Sequence, residues 1–301
     1  LRPPEWRFFS EVNEVAMNFY NVNSCNYRKL QSCFHGHEEI ESRYEPQFPL
    51  SAEREYKRLA RDLQQDFNNF IEPYIIASVV AVHALQPTPD APQYSPPVYL
   101  GRRINTITSQ LTRHTIRQWE KSVKKTLGFD INRDYYNGMV SMRMQDWARE
   151  QREQILSRIE EKISDIVRIL TVESKGITET VTSAVEKSQQ VQTSISQLAL
   201  TNIGAVYAAC TKQFNLDAGN SKYRWKIRPS ASKTGTRFDH ALLADGIFYY
   251  NDPPVVNQSS GKTANPGEDY NCHCIDKWLF QNPFLAGGLL AGAALGYLTA
   301  R

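Results

Sequence analysis

The stretch MVSMRMQDWAREQREQILSRIEEKISDIVRIL, Met139 to Leu170, decides the fold class of this chain. Trp147, Ile155, Ile159, Ile163, Ile166 and Leu170 recur along it, the last five stepping by three or four, and charged residues fill the intervals. That spacing puts the apolar side chains on one face of a long helix and the charges on the other. A second stripe follows Gly176, where Val181, Val185, Val191, Ile195, Leu198, Ile203 and Val206 run through a Ser/Thr/Gln-rich segment. Two such faces predict an antiparallel helix pair, and the lack of a strict heptad favours bundle packing over a long coiled coil.

Toward the N-terminus, RRINTITSQLTRHTIRQWEKSVKKTLGFD, Arg102 to Asp130, places Ile104, Ile107, Leu111 and Ile116 near helical spacing, with Gly128 as the C-terminal stop. Arg102, Arg103, Arg113, Arg117, Lys121, Lys124 and Lys125 are opposed there only by Glu120 and Asp130. Two readings of these cations stand: a solvated helix face, or a contact with a phosphate backbone or an acidic protein. QPTPDAPQYSPP, Gln86 to Pro97, holds five prolines and reads as a linker or extended arm. Before it, a helix opens at Ser51 with Glu53 and Glu55 in its first turn, and Pro73 is expected to divide it.

After Asn220 the texture changes, because YRWKI, GIFYYN and PPVV are short, aromatic or β-branched and bounded by Gly, Pro, Asn and Asp. The fold class expected is therefore mainly α with a small C-terminal α+β module. In chain order the segments are an N-terminal helical region 1–85, the linker 86–100, a helical body 101–219, the module 220–280 and an apolar tail 281–301. With 301 residues, 41% hydrophobic and 22% charged, the chain can bury a sizeable core and is no disordered tail. A net charge of +3 is too small by itself to define a nucleic-acid binder. The five cysteines are odd in number and sparse, which favours a reducing compartment over a secreted disulfide scaffold. The first residues lack a basic segment followed by an apolar run, so nothing in them reads as a signal peptide.

The closing module reads, in order, YRWKI (Tyr223 to Ile227), TRFDHALLADGIFYYNDPP (Thr236 to Pro254) and NPGEDYNCHCIDKW (Asn265 to Trp278). This ordered set resembles the phage Mu F-like minor head protein family, also called the phage head morphogenesis domain. The matching positions are Trp225, Arg237, His240, Leu243, Gly246, Phe248, Pro253, Pro254, Pro266, Gly267, Glu268, Cys272 and Cys274. SQLALTNIGAVYAACTKQFNLDAG, from Ser196, is similar to the helix that leads into the module, so the likeness covers about Ser196 to Trp278. The family commonly has an acidic residue between the Trp strand and the Arg-x-x-His segment, and often Arg between the final cysteines. This chain has SASKTGTRFD and His273 there.

The resemblance implies a non-enzymatic structural protein of the virion, in the head near the portal vertex, assembled in the host cytoplasm. Implied partners are the portal protein, the major capsid protein or scaffold, and packaged DNA, with several copies around the portal. Its work would be head morphogenesis and DNA packaging or ejection. The alternative is a pilot protein that leaves with the genome and acts at the host membrane through its tail.

The residues themselves leave the chemistry of the module open. In an extended Cys272 to Cys274 both sulfurs point one way, so with His240 they could share a zinc ion, a fourth ligand coming from Asp239, water or His273. A disulfide between residues two apart needs a strained loop. In the third reading the cysteines are small buried hydrophobes and His240 bonds the turn backbone. A closing turn leads, zinc follows and redox pairing comes last. Catalysis lacks its parts: a zinc deaminase needs His-x-Glu and Cys-x-x-Cys, and a thiol nucleophile has no oxyanion element beside it here. Cys25, Cys33, His35 and His37 lie close in sequence but match no standard finger and read as coincidental loop residues before a metal site.

The tail FLAGGLLAGAALGYL, Phe284 to Leu298, carries no charge, and Gly288, Gly292 and Gly296 would form one flat strip on a helix. Fifteen residues fall short of the roughly 20 a bilayer span needs, so docking on another virion protein is expected ahead of membrane insertion.

Overall fold

The computed structural model describes residues 39–128, 130–171, 176–227, 238–270, 272 and 274–281. They gather into two compact units, each built from separated stretches of chain. The first, helical unit holds Leu50–Gln110 and Met144–Asn202; the second, closing unit holds the described residues up to Pro49, Leu111–Arg143 and those from Ile203 onward.

The helices are α1 (Leu50–His83), α2 (Tyr99–Leu127), α3 (Arg133–Thr171), α4 (Ile177–Ser188) and α5 (Val191–Asp217). In the helical unit Tyr56, Leu59, Leu63, Phe67 and Ile71 form the buried stripe of α1, and Ile155, Ile159, Ile163, Ile166 and Leu170 that of α3. Each such side chain taken from water contributes about 2 kcal/mol, which is what holds helices whose own propensity is unremarkable. Gln151 is the polar member of this core, accepting from Tyr56 Oη at 2.9 Å and Asn202 Nδ2 at 2.8 Å.

Three expectations need correction. Pro73 lies inside α1 and does not divide it. It sits on the solvent face, where water can satisfy the carbonyl of exposed Asn69, and buried Ile71, Tyr74, Ile75 and Ser78 carry the stripe past it. α1 also starts at Leu50, one residue ahead of Ser51. The second stripe is not one helix: the chain breaks at Gln189 and Gln190 into α4 and α5. On α4 the inward positions are Ala184 and Ser188, and Val185 is left exposed.

The segment from Gln86 to Pro97 has no helix or strand. It docks through Tyr94, whose ring meets Phe70 edge-on at 5.1 Å and Phe67 at 6.3 Å. α2 ends where expected, at Leu127, with Gly128 in the left-handed region (φ 77°) and its N–H on the Lys124 carbonyl at 3.0 Å.

The closing unit is built on a four-stranded antiparallel sheet. Its strands are β1 (Glu39–Glu41), β2 (Lys222–Lys226), β3 (Ile247–Tyr249) and β6 (Ile275–Gln281), in the order β1-β6-β2-β3. A separate pair, β4 (Val255–Asn257) and β5 (Lys262–Thr263), and a short helix α6 (Phe238–Leu242) complete it. Alternation in β2 turns Tyr223 and Trp225 inward and Lys222, Arg224 and Lys226 outward. The outward side is laced by ion pairs, Lys277 to Glu41 at 2.8 Å and Arg224 to Glu41 at 3.3 Å among them. On the inner side Trp119 of α2 packs against Trp278 at 5.0 Å, Phe280 at 5.7 Å, Phe214 at 5.8 Å and Tyr136 at 6.0 Å. This aromatic cluster fixes α2, α3, α5 and β6 as one core.

Candidate functional site

The site begins with a turn. Asn265-Pro266-Gly267-Glu268 closes with the Glu268 N–H on the Asn265 carbonyl at 3.1 Å, and Gly267 has φ 86°. Proline in the second place and a left-handed glycine in the third are what a type II turn requires. The Glu268 carboxylate returns to the Asn265 N–H at 2.8 Å and closes the loop on itself. α5 supplies the seat through Gly204 and Ala208. A Cβ on Gly267 would stand 3.0 Å from the Gly204 carbonyl, and one on Gly204 would stand 3.1 Å from the Gly267 carbonyl. Only small residues on both sides allow this approach.

The turn delivers Cys272, whose N–H bonds the Asp269 carbonyl at 3.0 Å, and Cys274, just before β6. α6 brings His240 from the other side. Its Nδ1 lies 3.5 Å from Cys272 Sγ and 3.6 Å from Cys274 Sγ, and all three residues are buried. The three ligand atoms lie within 4.8 Å of one another. Trp225 meets the His240 ring edge-on at 5.7 Å. The backbone of Trp225 is held in turn by the Gly246 carbonyl at 2.9 Å and the Asp245 N–H at 2.8 Å. Gly246 must be small, because a Cβ there would stand 2.7 Å from the Phe248 ring.

Behind the imidazole stands Asp269, a residue the sequence reading passed over. Its Oδ2 takes His240 Nε2 at 3.3 Å and its Oδ1 accepts from Lys262 Nζ at 2.7 Å. A carboxylate on the far nitrogen orients the ring and leaves Nδ1 facing the two sulfurs, as in many metal sites. The signal lay in the sequence: Asp269 sits between Gly267 and Cys272, within the same turn as the ligand-type residues. Asp239, expected as a fourth ligand, instead accepts from the Gln258 N–H at 3.1 Å. His240 bonds an aspartate side chain of the turn and not the turn backbone, which is a second correction.

The electrostatics favour charge at the Cys272 sulfur. Cys272 is pulled down to about 5, first by a hydrogen bond with Cys274, with His240 and the Gly267 N–H at 3.4 Å adding to it against the opposing effect of burial. By contrast Cys210, buried on α5, is pushed up to about 11 by burial and is an inert packing residue. No disulfide joins Cys272 and Cys274. Beneath the site, Asp276 is buried and accepts from Tyr250 Oη at 2.6 Å, Trp278 Nε1 at 3.0 Å and Thr211 Oγ1 at 3.4 Å. Burial holds its carboxyl above the usual range in spite of these bonds.

The α2 cations do not form one patch. Arg103 is taken up by Glu55 at 2.8 Å and by Asp62 in the helical unit. Arg113, Arg117, Lys121 and Lys124 step by four, four and three along one exposed face in the closing unit. There Lys124 pairs with Asp130 at 2.8 Å, and Lys121 and Lys125 lie over the Tyr44 ring at 5.8 and 5.0 Å. Arg102 is exposed in the helical unit. Arg237, His273, the Cys25, Cys33, His35 and His37 group, and the tail glycines Gly288, Gly292 and Gly296 lie outside the described residues. Among the described residues no helix is long and apolar enough to cross a membrane.

What the site defines is a buried His/Cys/Cys cluster, oriented by an aspartate and closed by a Pro-Gly turn. No family model, curated protein or solved structure matches the chain.

Proposed function

We propose that the chain is a non-enzymatic minor head protein of a tailed bacteriophage whose closing module is fastened by a zinc ion at His240, Cys272 and Cys274. One observation carries the reading. Within fifty residues of sequence, His240, Cys272 and Cys274 meet in one buried cluster, Trp225 packs on the imidazole, Gly267 donates to Cys272 from the turn it shares with Pro266, and Gly246 holds the Trp225 backbone. These are positions on which the resemblance to the head morphogenesis family rests.

The zinc part is supported by spacing. Ligands at about 2.3 Å for sulfur and 2.05 Å for nitrogen around a tetrahedral ion stand about 3.6 Å apart, and the Nδ1 to Sγ separations are 3.5 and 3.6 Å. With Nε2 donating to Asp269, Nδ1 carries the lone pair a cation needs. Three buried protein ligands suit a structural role. The ion would tie α6 to the turn before β6, and the fourth position falls to water or to a residue outside the described ones.

The test has two parts. Elemental analysis of the purified full chain should give about one zinc per chain, lost in the His240→Ala and Cys272→Ser/Cys274→Ser variants. Zinc-supplied protein without metal, with a thermal midpoint indifferent to chelator, would sink the zinc assignment. For the head role, labelling of purified virions should place the chain at the portal vertex of the head. Virions that lack it would overturn the reading, and loss from the head on ejection would move it to the pilot class. Charge reversal at Arg113, Arg117 and Lys121 should then impair packaging.

A further inference from the structure

The first turns of α1 carry Arg54, Lys57, Arg58 and Arg61, three, one and three residues apart. At 3.6 residues per turn the four share roughly 100° of arc, and all are exposed. Glu53 and Glu55 fall outside that arc, one on each side, and both are buried. With Gln192 and Ser196 of α5 the four cations line an open groove of about 450 Å³ within the helical unit. None of the six lining residues is acidic, aromatic or aliphatic. Lys57 pairs with Glu53 at 2.6 Å and Arg58 with Glu55 at 3.4 Å. Arg54 and Arg61 have no ion pair among the described residues.

We infer that this groove binds the phosphodiester backbone of a nucleic acid without reading its sequence. The inference goes beyond the head-protein reading and does not depend on it, since neither the closing unit nor the α2 cations take part. Arg54 and Arg61 stand about 10 Å apart along the helix axis at 1.5 Å per residue, far enough for each to reach a different phosphate of one strand. Guanidinium forks bond phosphate oxygens in pairs. The Gln192 amide and Ser196 hydroxyl are neutral donors of the kind that complete backbone contacts. No ring lines the groove on which a base could stack, so the contact is to sugar and phosphate and is indifferent to base identity. An acidic protein surface is the competing occupant, and the groove offers it no aromatic or aliphatic side chain as an anchor.

The experiment is a salt titration of full-length chain on a labelled DNA duplex of arbitrary sequence, read by fluorescence anisotropy, with Arg54→Ala/Arg61→Ala beside the parent. These two arginines are exposed and unpaired, so the variant should keep the parent's thermal midpoint. Expected are affinity weaker by roughly tenfold and a log–log salt slope shallower by about two, one for each lost phosphate contact. Parent-like affinity and slope in the double variant overturn the inference. So does polyglutamate that competes as well as unlabelled duplex through the same two arginines, since the groove would then belong to an acidic protein. Neither result bears on where the chain sits in virions, so failure here and failure of the head-protein reading are told apart.

Discussion

The helical unit and the closing unit bury their polar groups on different terms. In the helical unit the interior is apolar stripes, with Gln151 serving Tyr56 and Asn202, Ser78 on α1, Ser188 at the end of α4, and Glu53 and Glu55 paired to Lys57, Arg58 and Arg103. The closing unit buries Thr211, Asn215, Asn220, His240, Asn265, Asp269 and Asp276 together with its aromatic rings. The difference follows from backbone accounting. Helices satisfy their own N–H and C=O groups, so an apolar face is enough to hold them. Strands of two to seven residues joined by irregular turns leave backbone groups over, and side chains must take them. Asn220 does this for the Gln281 N–H at 2.9 Å, and Glu268 for Asn265. The helical unit is therefore stabilised by its apolar stripes, and the closing unit by an aromatic core together with a set of specific bonds.

That contrast can be broken by mutation. The largest effect should come from the helical unit: Ile159→Ala removes a fully buried side chain and is expected to cost about 4 kcal/mol in denaturant unfolding followed by circular dichroism. Next is Asp276→Ala, which strands Tyr250 and Trp278 and should cost about 3 kcal/mol. Asp276→Asn sharpens the point, because an amide can accept from Tyr250 and Trp278 and donate to Thr211. It should keep the fold and change its pH response. Since the Asp276 carboxyl is held above its unfolded value, its stabilising contribution is fully present below about pH 4 and is lost as pH rises through the raised folded value. The parent should lose stability from this group over that rise and the Asn variant should not; identical pH profiles would refute the assignment.

Smaller still, Gly267→Ala forces a left-handed residue with a Cβ into the seat on α5 and should cost about 2 kcal/mol, with zinc content falling in the same preparation. Smallest is Arg158→Ala, which removes an exposed pair with Glu161 on α3 and should shift stability by only about 0.3 kcal/mol. A surface change that rivals Asp276→Ala would mean that the helical unit is not held by its stripes.

The stripe of α3 was legible because a period repeated over several turns survives any local exception. The break between α4 and α5 was not, because Val181 and Val185 fit the helical period while the structure buries Ala184 and Ser188 instead. Strand β1 was hidden for the opposite reason: three residues, Glu-Ile-Glu, carry no period, and only their partners in β6 make them a strand. At the site, His240, Cys272 and Cys274 were readable as ligand types in order. Gly204 and Ala208 were not, since their parts depend on an approach in space. The cations of α1 were masked by Glu53 and Glu55 on either side of Arg54, which the helix turns to other faces.

Strand β1 also sets a clock. Glu41 pairs with Leu279 across about 240 residues of sequence, so the sheet of the closing unit stays incomplete until nearly all the described chain has left the ribosome. At 5–20 residues per second that wait is on the order of ten to fifty seconds. During it, Trp119 and Tyr136 have been made but Trp278 and Phe280 have not, so their shared aromatic cluster cannot close. The last strand synthesised therefore completes the core as well as the sheet. The nascent chain has a long window in which those rings must be shielded by a chaperone or by neighbouring chain.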